Sequence, residues 1–211
     1  MWGVLKINRT IIIATRNQGK VREIAEALSD FPLDFLSISE WEKEKGVVLG
    51  EPVEDGETFQ ANSRIKAEYY AKLTNLPCLA DDSGLEVEAL GNRPGVYSSR
   101  FAGEKATDAD NNAKLVAELT KLGLTESKAS YKACITVLKP SGESITAEGV
   151  FSGTVRTVAQ GNGGFGYDPL FYIEANKTVA ELSLAEKHRI SHRGKALDEL
   201  KTKLGEFIGA L

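Results

Sequence analysis

Apolar residues fall into strand-like and helix-like rhythms along the chain. Ile11 to Ala14 form an apolar run of strand length, and Val21, Ile24, Ala25 and Leu28 then recur at helical spacing. The pattern predicts a buried strand, a turn spelled "ATRNQGK" over 14–20, and a helix from Val21 to Leu28. "ETFQANSRIKAEYYAKL" predicts a second helix, with Phe59, Ile65, Tyr69 and Leu73 on or near its apolar side. Pro77 to Ala80 read as a strand running into "DDSG". Thr107 and Asp110 suit a capping box for a helix ending at Leu122. "YKACITVLK", the turn "PSGE" and "SITAEGVFSGTV" predict a β-hairpin. The glycine-rich "GNGGFGYDP" follows. A last helix begins near Ser191, with Leu197, Leu200, Leu204 and Ile208 as its apolar stripe. Interspersed strands and helices with an antiparallel pair predict an α/β domain on a mixed sheet.

Composition narrows this picture. The 211 residues fit one domain, and 42% hydrophobic with 27% charged residues supports a sizeable core. No run approaches the length of a membrane span, and "MWGVLKINRT" lacks the features of a signal peptide, so a soluble cytoplasmic protein is expected. Cys78 and Cys134 form no CxxC pattern and read as buried free thiols. A formal net charge of −4 without a basic block argues against binding long nucleic acid, though not against a small anion.

Five stretches carry candidate chemistry. A strand-to-helix turn presents N–H groups and a positive dipole end, which suits an anion. Lys20 adds a charge there, and Thr15 and Asn17 add hydrogen bonds. An ordinary tight turn is the other reading, and the GxxxxGK[ST] spacing of a P-loop is absent. Asp81 and Asp82 end an apolar run and, by strand alternation, should point to opposite sides. One could face a site that holds Mg²⁺ with substrate phosphates while the other pairs locally; an Asx-turn is the alternative. Glu54, Asp55 and Glu57 precede a helix, where capping explains most such acids and a third metal carboxylate is the alternative. Lys66 follows on that helix and reads as a ligand or as a solvated lysine.

Phe165 and Tyr167 lie between glycines, so they either stack on a flat base or plug the core. Asp168 serves the turn or accepts from a base edge. His188 and His192 stand four apart, but without a third His or Cys nearby zinc is not expected. Lys187, Arg189, His192, Arg193 and Lys195 form a basic cluster beside a helix start, which suits phosphate or simple charge balance.

"TRNQGK", "ADDSGLEV", "PGVYSSRFAG", "GGFGYDPLF" and "ISHRGKAL" follow one another in the order seen in the inosine triphosphate pyrophosphatase family. The chain resembles that family from about Ile11 to the C-terminal helix. The resemblance implies a long twisted mixed sheet flanked by helices, in two lobes with a central cleft. It also implies a homodimer that needs Mg²⁺ and cleaves ITP, dITP or XTP to the nucleoside monophosphate and pyrophosphate. By motif, Thr15, Arg16, Asn17, Gln18, Gly19 and Lys20 bind the triphosphate, and Ser83 and Lys66 contact phosphates. Glu54 and Asp82 are metal-side carboxylates, with Asp82 the proton acceptor. Phe165, Gly166, Tyr167 and Asp168 hold the base and sugar side, and Lys187, His192 and Arg193 complete recognition. A few extra residues before the first strand depart from the family pattern. The rival readings are a Maf-class pyrophosphatase of other specificity and a non-catalytic nucleotide sensor.

Overall fold

A computed structural model describes residues 9–209. Residues 1–8, where no secretion signal is expected, lie outside the described residues. The strands are β1 (Thr10–Ile13), β2 (Asp34–Ser37), β3 (Cys78–Val87), β4 (Arg93–Pro94), β5 (Glu126–Leu138), β6 (Ser144–Arg156), β7 (Phe171–Glu174) and β8 (Lys177–Thr178). They form one sheet in the order β2-β1-β3-β5-β6-β7-β8, with β4 paired to β3. β1 is parallel to β2 and β3, whereas β7 is antiparallel to β6 and β8, so the sheet is mixed as expected. The α-helices are α1 (Gln18–Ala27), α2 (Ile38–Lys45), α3 (Phe59–Thr74), α4 (Asp108–Lys121), α5 (Leu184–Ile190) and α6 (His192–Gly209).

The chain divides into two compact units. The first takes in the chain up to Asp81, Cys134–Ala147 and the chain from Leu197 on. Its core packs Ile12 of β1, Ala14 just after it, Cys78 and Ala80 of β3, and Ile38 of α2 against Ala67, Tyr70 and Ala71 of α3. α6 adds Leu197, Leu200 and Leu204, all fully buried. The fourth member of its stripe is Phe207 rather than Ile208, a shift of one residue that the helical period tolerates.

The buried face of α3 differs from the expected one. It carries Phe59, Asn62, Ser63, Ala67, Tyr70 and Ala71, while Leu73 is exposed. Small and polar residues can line a buried face when each polar atom is bonded, and a hydrophobic pattern does not register them. Ser63 Oγ, for example, lies 2.8 Å from Thr136 Oγ1.

The second unit comprises Asp82–Ala133 and Glu148–Ala196. Leu85, Val87, Leu115, Leu119, Tyr131, Val155, Tyr167 and Phe171 are among its core residues. The Thr107–Asp110 capping box is present at the start of α4. Among the described residues, Ser37–Glu40, Thr178–Glu181 and Ser183–Glu186 also form such boxes. Side-chain hydrogen bonds from Ser37, Thr107 and Ser183 hold the Glu40, Asp110 and Glu186 carboxyls below their ordinary range. Their contribution to stability is therefore present above the ordinary carboxylate pKa and lost as pH falls.

Cys78 and Cys134 are free and buried, and burial pushes the Cys78 thiol up to about 12. Since the thiolate is the reactive form, neither cysteine should react with Ellman's reagent at pH 8 in the native protein. Both should react in urea. Rapid native labelling of either would contradict this packing.

Candidate active site

In the first unit, Ala14 leads from β1 into the turn, and Asn17 caps α1. Asn17 Oδ1 accepts from the N–H groups of Gly19 (2.9 Å) and Lys20 (3.2 Å), and the Asn17 N–H donates to Thr15 Oγ1 (3.2 Å). Two of the N–H groups expected to face an anion are thus turned onto the cap. The first turn of α1 contains no acidic residue, so the positive helix end is compensated by no carboxylate of its own.

Lys20 Nζ instead reaches Asp81 Oδ2 at 2.6 Å, where the Asp81 side chain is fully buried. β1 last pairs with β3 at Ile13 and Leu79, so Asp81 stands just beyond the point where β1 turns away. Ligands in open α/β sheets bind outside the carboxyl ends of parallel strands, and this is such a place.

The acidic stretch before α3 is held at two points, one helical turn apart. Asn62 Oδ1 accepts from the Gly56 N–H at 2.8 Å. Lys66 Nζ lies 3.0 Å from Glu54 Oε2 and 3.3 Å from the Asp81 carbonyl oxygen. A Cβ on Gly56 would come within 2.7 Å of both Ala61 Cβ and Asn62 Oδ1, so the tight turn needs glycine. Asp55 and Glu57 are exposed, and of the three acids it is Glu54 that is turned to a lysine. The Lys20–Asp81 and Lys66–Glu54 ion pairs are therefore linked through the Asp81 main-chain carbonyl into one chain. Arg16 is drawn elsewhere: it bonds Glu42 and Glu51 at 2.7 Å each, the Leu49 carbonyl at 2.9 Å and Tyr70 Oη at 3.2 Å.

"DDSG" is not a turn at a strand end but lies inside β3. Sheet pairing overrides the weak strand preference of aspartate. Asp82 and Ser83 belong to the second unit, and both are at least partly buried. Arg193 Nη2 donates to Ser83 Oγ at 3.2 Å.

Asp168 is the hub of the second unit's cluster. It is 3% exposed. Its Oδ2 accepts from Lys187 Nζ at 2.6 Å and from the Phe165 N–H at 3.0 Å, and its Oδ1 accepts from Tyr131 Oη at 3.3 Å. Of the two readings open for Asp168, turn chemistry is the one whose bonds are present. The Lys187 ammonium sits 4.1 Å from the centroid of the half-exposed Phe165 ring. Tyr167 is buried, donates to the Ser98 carbonyl at 2.7 Å and serves the core. Gly166 is gripped on both sides, by Asp108 Oδ2 at its N–H (2.7 Å) and by Asn112 Nδ2 at its carbonyl (2.9 Å).

His188 and His192 do not share a helix. Ser191 is extended, ends α5, and accepts from the Gly194 N–H at 3.0 Å, which caps α6. His192 and Arg193 open α6, 7% and 2% exposed. The His192 ring stacks on Tyr131 at 4.9 Å between centroids and 13° between planes. A Cβ on Gly149 would overlap the His192 carbonyl oxygen, so β6 passes directly under this turn.

The family model described as the Ham1 family matches residues 11–203. The chain belongs to the Ham1 family. A dITP/XTP pyrophosphatase of Desulfotalea psychrophila is 46% identical over 199 residues, covering 94% of this chain and 86% of that one. One of Geobacter sulfurreducens is 45% identical over 196 residues, covering 92% and 96%. The solved structure of a HAM1 protein from Coxiella burnetii superposes with a TM-score of 0.84 at 39% identity, covering 93% and 98%.

Among the described residues of this Ham1-family chain, no three His, Cys, Asp or Glu side chains converge to hold a metal ion. Mg²⁺ does not require that. It is commonly held by one or two carboxylates with substrate phosphates and water filling its octahedron, and Glu54 in the first unit and Asp82 in the second each carry hard oxygen donors. Asn62 in the first unit, and Tyr131, Asp108 and Asn112 in the second, each hold a loop of their own unit, and the sequence does not single them out. Tyr131 alternates like any core residue of a strand, and the helix-face polar residues carry no signal until their bonds are seen.

Removing one partner of a buried ion pair strands the other. Asp168→Ala should destabilise the protein by about 3–5 kcal/mol, read from urea midpoints. Asp168→Leu with Lys187→Met should recover much of that loss while abolishing activity. Equal stability of the wild type and Asp168→Ala would show that the pair is not part of the folded core.

Proposed function

We propose that the chain hydrolyses the non-standard purine nucleoside triphosphates ITP, dITP and XTP to the nucleoside monophosphate and pyrophosphate. The Ham1 relatives named dITP/XTP pyrophosphatases support this reading. The observation that carries it is the linked ion pairs Lys20–Asp81 and Lys66–Glu54 at the carboxyl end of parallel strands. Two lysines held there by carboxylates are poised to exchange those partners for phosphate oxygens.

In this reading Thr15 to Lys20, Lys66 and Ser83 bind the triphosphate. Glu54 and Asp82 would hold Mg²⁺, which when bound offsets the charge that builds up on pyrophosphate. Asp82 takes a proton from the water that attacks the α-phosphorus. The bond from that phosphorus to the bridging oxygen breaks, and pyrophosphate leaves with the electron pair. Arg193 opens α6, whose first turn has no acidic residue, so the helix dipole and the guanidinium both favour an acceptor there. Hypoxanthine and xanthine present a carbonyl at position 6, and adenine an amino group. His192 and Arg193 donate to that carbonyl, while Phe165 offers its ring face to the base. The whole chain works as one pyrophosphatase domain. A homodimer in the cytoplasm completes the reading on the family resemblance alone.

A panel of ITP, dITP, XTP, GTP, ATP and modified pyrimidine triphosphates, with release of pyrophosphate as readout, tests this. Turnover of ITP and XTP well above ATP and GTP is expected. Preference for the pyrimidines points instead to Maf-like specificity, and binding without release points to a sensor. Activity should vanish on chelation and return with Mg²⁺.

Lys20→Ala and Lys66→Ala should each cost about 2–4 kcal/mol of transition-state stabilisation, read from kcat/KM. Asp82→Asn should lower kcat far more than it raises KM. Parent rates in both lysine variants would remove the phosphate site from this turn.

The His192→Ala, Arg193→Ala double variant should lower kcat/KM for ITP strongly and for ATP little. Discrimination by buried donors can reach about 10⁴. An equal loss for ITP, XTP, GTP and ATP would assign these residues to catalysis or phosphate binding.

A further inference from the structure

His192 carries base recognition in the reading above, and the family resemblance adds Lys187, yet neither is rigid by itself. An imidazole turns about two side-chain bonds, and a lysine ammonium rides on a flexible stem. What fixes them is visible in the second unit. The His192 backbone is pinned where Gly149 passes beneath its carbonyl. Its ring lies nearly parallel to Tyr131, at 4.9 Å and 13°. Tyr131 in turn leans on Phe171, 4.7 Å away and fully buried, and Phe171 meets Phe151 at 5.4 Å. The Tyr131 ring thus packs against both the buried Phe171 ring and the imidazole.

The hydroxyl of the same tyrosine donates to Asp168 Oδ1 at 3.3 Å. The other carboxylate oxygen holds Lys187 Nζ and the Phe165 N–H. One side chain therefore touches His192 directly and reaches Lys187 and Phe165 through a single carboxylate.

We propose that Tyr131 is a positioning residue with two parts: its ring sets the plane of the His192 imidazole for base selection, and its hydroxyl anchors the carboxylate that holds Lys187 and the Phe165 backbone, which serves binding rather than selection. This rests on the assignment of His192 to base recognition. The N–H groups of an imidazole lie in its ring plane, and a hydrogen bond weakens steeply as its angle closes. A ring free to tilt would therefore still occupy the site but would read the carbonyl at position 6 poorly. Burial raises the Tyr131 hydroxyl well above its ordinary pKa, so it stays a donor through neutral pH.

The two halves of the role separate by substitution. Tyr131→Phe keeps the stack and loses the hydroxyl. It should raise KM for ITP a few-fold and leave the ITP-to-ATP ratio of kcat/KM nearly unchanged. Tyr131→Leu loses the stack and should lower that ratio at least about tenfold, within the roughly 10²-fold that a 1 Å misplacement can cost. Tyr131→Met, closer in volume, takes its place if the leucine variant does not fold. Combining either with His192→Ala should give no further loss of selectivity, because both act through one ring.

A residue that served only the core would lower stability, or activity on all nucleotides alike, and would leave the ratio intact. An unchanged ratio in a folded Tyr131→Leu or Tyr131→Met protein overturns the proposal, as does full additivity with His192→Ala. Failure of the wild-type protein to prefer ITP over ATP is a different result: it removes the functional reading itself and this inference with it.

Discussion

A carboxylate taken out of water must be answered by charge and hydrogen bonds, and both units are organised around that demand. Asp81 and Asp168 are each almost wholly buried, and each meets a lysine at 2.6 Å. In the first unit the pair ties the start of α1 to β3, and the remaining Asp81 carbonyl draws in Lys66 and with it Glu54. In the second unit the pair fixes the α5 lysine against the glycine-rich loop, and the second carboxylate oxygen reaches the phenol of β5. Removing either aspartate would release more than one element. The lysines are thereby held in place by buried carboxylates.

The starts of α1 and α6 share a further property. Neither first turn contains an acidic residue, although acids there stabilise a helix. α2, α4 and α5 each carry acids in that position. α3, which Thr58 caps, likewise has no acid in its first turn, so three helix starts share this property and it does not by itself single out the two whose motifs match the family.

Much of this was legible in the sequence, for definite reasons. β1, the turn after it, the β5–β6 hairpin and α6 announce themselves by period and turn chemistry, which are local. The continuation of β3 through Asp81, Asp82, Ser83 and Gly84 was not legible, because pairing in the sheet rather than propensity keeps that stretch extended. The buried face of α3 was misread because Asn62 and Ser63 look like solvent residues until Gly56 and Thr136 are seen to bond them. The break between α5 and α6 hides in one serine that ends one helix and caps the next. Among the site residues, Glu54 stands out from Asp55 and Glu57 only through Lys66, a contact that no spacing rule anticipates. Tyr131 was invisible for the opposite reason: it obeys the strand alternation so well that nothing marks it as more than core.

The division of the chain into units bears on how the protein is made. The first unit draws on three separated stretches, and its third, from Leu197 on, supplies four nearly fully buried apolar side chains of α6. During vectorial synthesis those side chains leave the ribosome after the rest of the first unit and after the entire second unit. Until then β1 and β3 have been translated without the α6 part of their unit, and a nascent chain in that state exposes apolar surface of the sort that chaperones bind. Lys20 and Lys66 lie in a unit that begins before the second unit and is completed after it.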